Sequence, residues 1–174
     1  MPILLPLLAL SCSKDGLRQE VTRYEPDWAA AYEYPLNASQ YRGVGLMLVQ
    51  GRMDDDLNLS SSGVVASLVM YAPAGGTGLL PTGTYDLAAG DDNPLMMMGS
   101  RDASGNLVGS FIAERLPERD VTKFYVLKQG SVSVAAEGDG FHIRATLVAD
   151  GRSFELEYRG EVQDLGGDAF SGLN

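Results

Sequence analysis

Glu155 and Glu157 are the side chains whose spacing comes nearest to acid–base machinery in this 174-residue chain. They stand two apart in the alternating stretch Phe154-Glu155-Leu156-Glu157-Tyr158. On a strand both carboxyls face one side, roughly 6–7 Å apart, and glycoside hydrolases work with pairs about 5–9 Å apart. A solvated strand face produces the same pattern. Arg144 on the preceding segment offers a cross-strand ion pair worth about 0.2–1 kcal/mol, which is the simpler explanation. A Ser-His-Asp triad would have to use His142, the only histidine, which lies mid-strand on the polar side between Phe141 and Ile143. No G-x-S-x-G elbow is present. No catalytic residue is assigned, and the chain is not expected to be an enzyme.

Residues suited to ligands are more numerous. Trp28, Tyr32, Tyr34 and Tyr41 gather within a short span. Their flat faces can stack on sugars, or they can cover one end of a core. Met96-Met97-Met98 on a strand must point to both faces. One Met is then expected to be buried, and Met97 can line a pocket, since Met suits adaptable apolar surfaces. Asp54, Asp56 and Asn58 place oxygens at alternate positions, as a calcium loop does. Leu59 and Val65 stand where an EF-hand needs Gly and a bidentate Glu, so a solvated acidic turn is the better reading. Asp91-Asp92-Asn93 is a second such loop. No cofactor is expected.

The elements that must position these residues read as strands. Phe141, Ile143, Ala145 and Leu147 alternate with polar neighbours, as do Phe154, Leu156 and Tyr158, with the hairpin signal Asp150-Gly151 between them. Val132, Val134 and Ala136 alternate before Asp139-Gly140, so residues 130–162 are predicted to form a three-stranded meander. Arg42–Gln50 and Val64–Tyr71 are apolar almost throughout, as strands buried on both faces are. Thr82–Ala88, Leu95–Arg101, Leu107–Glu114 and Val121–Lys128 complete the set, with Ser104-Gly105 marking a hairpin. With 21 Gly and 8 Pro, breakers recur often enough for an all-β domain of about nine or ten strands. The expected architecture is an antiparallel β-sandwich or a partly open, lipocalin-like barrel over residues 28–163, with a flexible tail over 164–174.

Charge and cysteine narrow the class. Asp and Glu number 23 against 13 Lys and Arg, a net charge of −10 at pH 7. That disfavours nucleic acid, which needs a basic patch. One Cys excludes an internal disulfide framework and Cys-rich zinc sites. The nine-residue apolar run Pro2–Leu10 is shorter than the roughly 20 residues of a transmembrane helix and fits the core of a secretory leader. No Lys or Arg precedes it, which implies a truncated leader or a different starting Met.

Leu8-Ala9-Leu10-Ser11-Cys12 resembles a bacterial lipobox, and Ser13-Lys14-Asp15-Gly16 is similar to the export tag of Bacteroidetes surface lipoproteins. The resemblance implies a leader over 1–11, lipid on Cys12, a polar tether over 12–27, and an outer-membrane location facing periplasm or cell surface. More than one acyl chain anchors stably, at roughly 0.8 kcal/mol per buried methylene. Leu80-Pro81-Thr82-Gly83-Thr84-Tyr85-Asp86-Leu87, Gly130-Ser131-Val132-Ser133-Val134 and Tyr158-Arg159-Gly160 resemble turn and core motifs of uncharacterised lipoproteins of the same kind. They speak for fold and carry over no catalytic residue. That location, with no catalytic machinery read in the sequence, leads to the expectation of a non-enzymatic surface module binding glycan or peptide nutrients, with Trp28, Tyr32, Tyr34, Tyr41 and Met97 as the candidate ligand residues. A structural or adhesive module for a protein partner, or a lipocalin-like carrier of an apolar ligand, are the alternatives.

Overall fold

Thirteen strands form among the residues that the computed structural model describes, which are 20–35, 40–54, 59–76, 78–87, 96–116 and 121–166. In chain order they are β1 (Glu20–Tyr24), β2 (Trp28–Tyr34), β3 (Tyr41–Gln50), β4 (Gly63–Pro73), β5 (Gly83–Asp86), β6 (Ser100–Arg101), β7 (Leu107–Val108), β8 (Phe111–Leu116), β9 (Val121–Val126), β10 (Gln129–Glu137), β11 (Gly140–Ala149), β12 (Arg152–Gly160) and β13 (Gln163–Asp164). They make a five-stranded sheet, β1-β12-β11-β10-β5, and a six-stranded sheet, β13-β2-β3-β4-β8-β9, with β6 and β7 paired separately. Among the described residues no ladder joins the two sheets. The fold is a β-sandwich, and the partly open barrel is not formed. The edge strands β5 and β13 have four and two residues, too few to carry pairing around a corner.

The meander forms as expected. β10, β11 and β12 pair antiparallel in unbroken register. Val132, Val134, Ile143, Ala145, Leu147, Phe154 and Leu156 point into the core, against Val44, Leu46, Leu48, Leu68 and Met70 of the other sheet. Asp150 and Gly151 take φ of +50° and +77°, the pattern of a type I′ turn. The earlier turn falls one residue before its expected place. Glu137 pairs with Gly140, so Gly138 (φ +60°) and Asp139 form the turn and Gly140 already belongs to β11.

The L-P-x-G-x-Y segment is a core device. Leu80 and Tyr85 are buried, Gly83 takes φ +149°, and the Tyr85 hydroxyl donates to the Pro81 carbonyl at 2.8 Å. The turn is thereby tied to the residue it buries.

Three expectations are corrected. The pairing is not antiparallel throughout, because β1 runs parallel to β12 and β13 parallel to β2. Residues 20–24, expected within the polar tether that ends at 27, are strand β1. Asp164, expected to begin the flexible tail, pairs with Ala31, and the next residue, Leu165, donates its N–H to the Ala31 carbonyl at 3.0 Å. Both terminal segments are held by backbone ladders and polar side chains, with single apolar contacts from Tyr24 and Leu165, which leave no apolar periodicity to read.

Candidate functional site

Strand β2 carries Trp28, Tyr32 and Tyr34 at alternate positions, and β3 begins with Tyr41. Ala29 of β2 faces the core between the sheets, while Tyr32 belongs to a second apolar cluster on the outer face of the six-stranded sheet. All three β2 aromatics therefore share that outer face.

Two of them seal it. Tyr32 is 6% exposed, and its ring lies flat on Gly45, where a Cβ would come within 2.1 Å of a ring carbon. Burial pushes its phenol pKa up against a hydrogen bond with Ser67. Trp28 donates its indole N–H to Gln163 Oε1 at 3.2 Å and packs on the cluster built from Met47, Val49, Leu59 and Val65.

Tyr34 and Tyr41 remain accessible, and a residue the sequence reading passed over joins them. Tyr34 on β2 and Tyr71 on β4 both pair with Gly43 on the strand between them. Gly43 interposes no side chain, and the two phenols interact electrostatically. The Tyr41 and Tyr71 rings pack with centroids 6.5 Å apart at 52°. Burial, with Tyr34 adding to it, pushes the Tyr71 phenol up, so it stays a neutral hydroxyl through the physiological range. Tyr34, Tyr71 and Tyr41 thus form an aromatic platform on a glycine floor.

Beyond Tyr71 the surface opens into a groove of about 470 Å³, lined by Leu87, Met97, Met98, Ser100 and Lys128 among others. The strand expected over 95–101 is confined to β6, and the methionines ahead of it divide by exposure instead: Met96 is buried and bridges Met70, Met97 is half-buried in the groove, and Met98 is exposed. The Met97 N–H donates to the Val69 carbonyl at 2.8 Å, which fixes this segment along β4. Lys128 Nζ donates to the Gly99 carbonyl at 2.8 Å, which sets an ammonium at the rim.

The other candidates lie elsewhere. Glu155 accepts from Arg23 Nε at 2.6 Å. Glu157 lies opposite Arg144 in register, 3.5 Å from its Nε, and 2.8 Å from His142 Nε2. The His142 hydrogen bond outweighs burial and, with Arg144, holds the Glu157 carboxyl below its ordinary value. This is the cross-strand charge pairing the spacing suggested, with Arg23 of β1 added. Asp54 is described, whereas Asp56, Asn58, Cys12 and the Asp91–Asn93 loop lie outside the described residues. Among the described residues no group of three or more His, Cys, Asp or Glu is placed to hold a metal.

One polar cluster had no sequence signal. Glu114 of β8 accepts from the Tyr24 hydroxyl at 2.5 Å and the Tyr125 hydroxyl at 3.0 Å. Arg152 sits 3.5 Å from the same carboxylate and donates to the Tyr125 hydroxyl and, at 2.9 Å, to Thr22 Oγ1. Its guanidinium lies over the rings of Tyr125 and Phe154 at 5.1 and 5.2 Å. Burial pushes the Glu114 carboxyl up, and the two hydroxyls with the Arg152 charge more than reverse this, holding it low. Tyr24 is pushed up by burial and by Glu114. The cluster clasps β1 and β12 to β8 and β9.

Comparison of the chain with known protein families, with curated proteins and with solved structures finds no match.

Proposed function

We propose that this chain is a non-catalytic glycan-binding module of the bacterial envelope, lipid-anchored through Cys12 to the outer membrane. The platform of Tyr34, Tyr71 and Tyr41 over Gly43 carries the reading. Aromatic faces offer a sugar large apolar area with a polar hydroxyl at the edge. Three such faces on the strands of one sheet are set before the ligand arrives, so little ordering cost is left to binding. Glu155 and Glu157 are engaged with Arg23, His142 and Arg144, which favours a role for them in holding the sheet. Native mass spectrometry of the mature chain against glycan, peptide and lipid pools tests the reading. A stoichiometric glycan adduct is expected, with Tyr71→Ala weakening it at least tenfold, since one stacked aromatic contributes roughly 1 kcal/mol or more beyond its buried area. A folded chain that retains no glycan refutes it.

A protein-partner module is the second reading, favoured by one observation. Edge strand β9 exposes Val121 and Phe124, at 47% and 44%, and an exposed apolar edge is a template for strand addition. Concentration-dependent self-association, or a partner displaced by Phe124→Lys, would support it over the first.

A further inference from the structure

We infer that the groove beyond Tyr71 selects an acidic glycan, a largely neutral sugar chain bearing a carboxylate that is read by Lys128. The inference rests on the glycan-binding reading above and names the ligand class at that site. Tyr71 belongs both to the tyrosine platform and to the groove wall, so the two are one continuous surface. Lys128 is the one cationic side chain among the described residues lining the groove. Its ammonium is held by the Gly99 carbonyl at 2.8 Å, which uses one of three donors and leaves the others to a ligand. Among the described lining residues, Met97 and Met98 present apolar surface suited to the face of a sugar ring, and none is a carboxylate. The whole chain carries −10 at pH 7, so a polyanion is repelled at long range. A single carboxylate on a neutral chain escapes most of that repulsion and gains the Lys128 charge.

The test is isothermal titration of the full mature chain with two ligands, a xylo-oligosaccharide bearing one glucuronic acid and the methyl ester of the same compound. These differ in the charge of the carboxylate and by one methyl group. The acid is expected to bind about tenfold tighter than the ester, as a charge-assisted hydrogen bond provides, and the preference should shrink as salt is raised. Lys128→Gln and Lys128→Ala should each bring the acid to within about twofold of the ester, by weakening the acid far more than the ester. Equal affinity for acid and ester in the unaltered chain overturns the inference while the glycan reading stands. A preference that survives both substitutions overturns it in the same way. Binding of neither compound by folded protein removes the glycan reading and the inference with it.

Discussion

Replacing Glu114 should loosen the whole sandwich, because its carboxylate serves partners from both sheets. Glu114→Ala leaves the Tyr24 and Tyr125 hydroxyls without their acceptor and Arg152 without its counter-charge. A hydrogen bond to a charged group contributes roughly 1.5–3 kcal/mol, and two on one carboxylate do not add fully. Breaking a fully buried ion pair costs about 3–5 kcal/mol. Here the side chains of Arg152 and Glu114 are 23% and 15% exposed, so solvent screens part of the loss. The expected cost is about 2–4 kcal/mol, a fall in Tm of roughly 5–12 °C for a domain of this size. Glu114→Gln keeps an acceptor and loses the charge, so about half that fall is expected. The pH dependence has a fixed sign. The folded carboxyl lies below its free value of 4.5, so its contribution is complete above that value and is lost as pH falls through the folded one. The gap in Tm between wild type and Glu114→Gln, read by far-UV circular dichroism, should stay level from neutral pH down towards 5 and close in stronger acid. An Ala variant melting within about 1 °C of wild type, or a gap that widens in acid, refutes the clasp.

Gly45→Ala drives a methyl into the Tyr32 ring, with carbon approaches of 2.1 to 2.4 Å. Overpacking of this kind costs about 1–3 kcal/mol, and an unchanged urea midpoint together with unchanged near-UV dichroism would show that the ring is not held there. Gly151→Ala puts a side chain at φ +77° and should cost about 1 kcal/mol in the same urea titration, whereas Gly75→Ala, which meets nothing within 4 Å and has no positive φ, should be near neutral. Cys12→Ala should move the expressed protein from the membrane fraction to the aqueous one, and retention in the membrane rules out the lipid anchor.

The meander over β10 to β12 was legible because each strand buries one face only, and Asp150-Gly151 fixes its register. The Asp139-Gly140 turn misled by one residue for a steric reason. Gly140 is needed on β11, where a Cβ would stand 2.4 Å from the Gly160 carbonyl. Its glycine answers a close approach between strands, while Gly138 supplies the turn. β1 was not legible at all. Its side chains are fastened by Arg152 to Thr22, Glu155 to Arg23 and Glu114 to Tyr24, and polar contacts between residues so far apart in sequence leave no periodic trace.

β3 and β4 show why the candidate site was only half visible. A strand apolar on both faces looks the same whether its second face is covered or left for a ligand. Along β3 both outcomes occur on one face: Met47 and Val49 are 4% and 1% exposed, while Tyr41 is 41% exposed. The cover comes from Leu59, Trp28 and Tyr32, beside Met53 and Leu165, and no local pattern announces it. Tyr71 carried no signal of its own at the end of an apolar run. The usable signal lay on the neighbouring strand, where Tyr41, Gly43 and Gly45 share one face by parity. Glycine inside a strand marks a close approach by something else, and rings from adjacent strands fill such gaps well. Tyr32 fills the gap at Gly45 and is thereby buried. At Gly43 the gap is flanked by Tyr34 and Tyr71, both still partly open to solvent. A pair of alternate glycines on a two-sided apolar strand therefore points to two aromatic neighbours, and their burial separates the one that completes the fold from those free to meet a ligand.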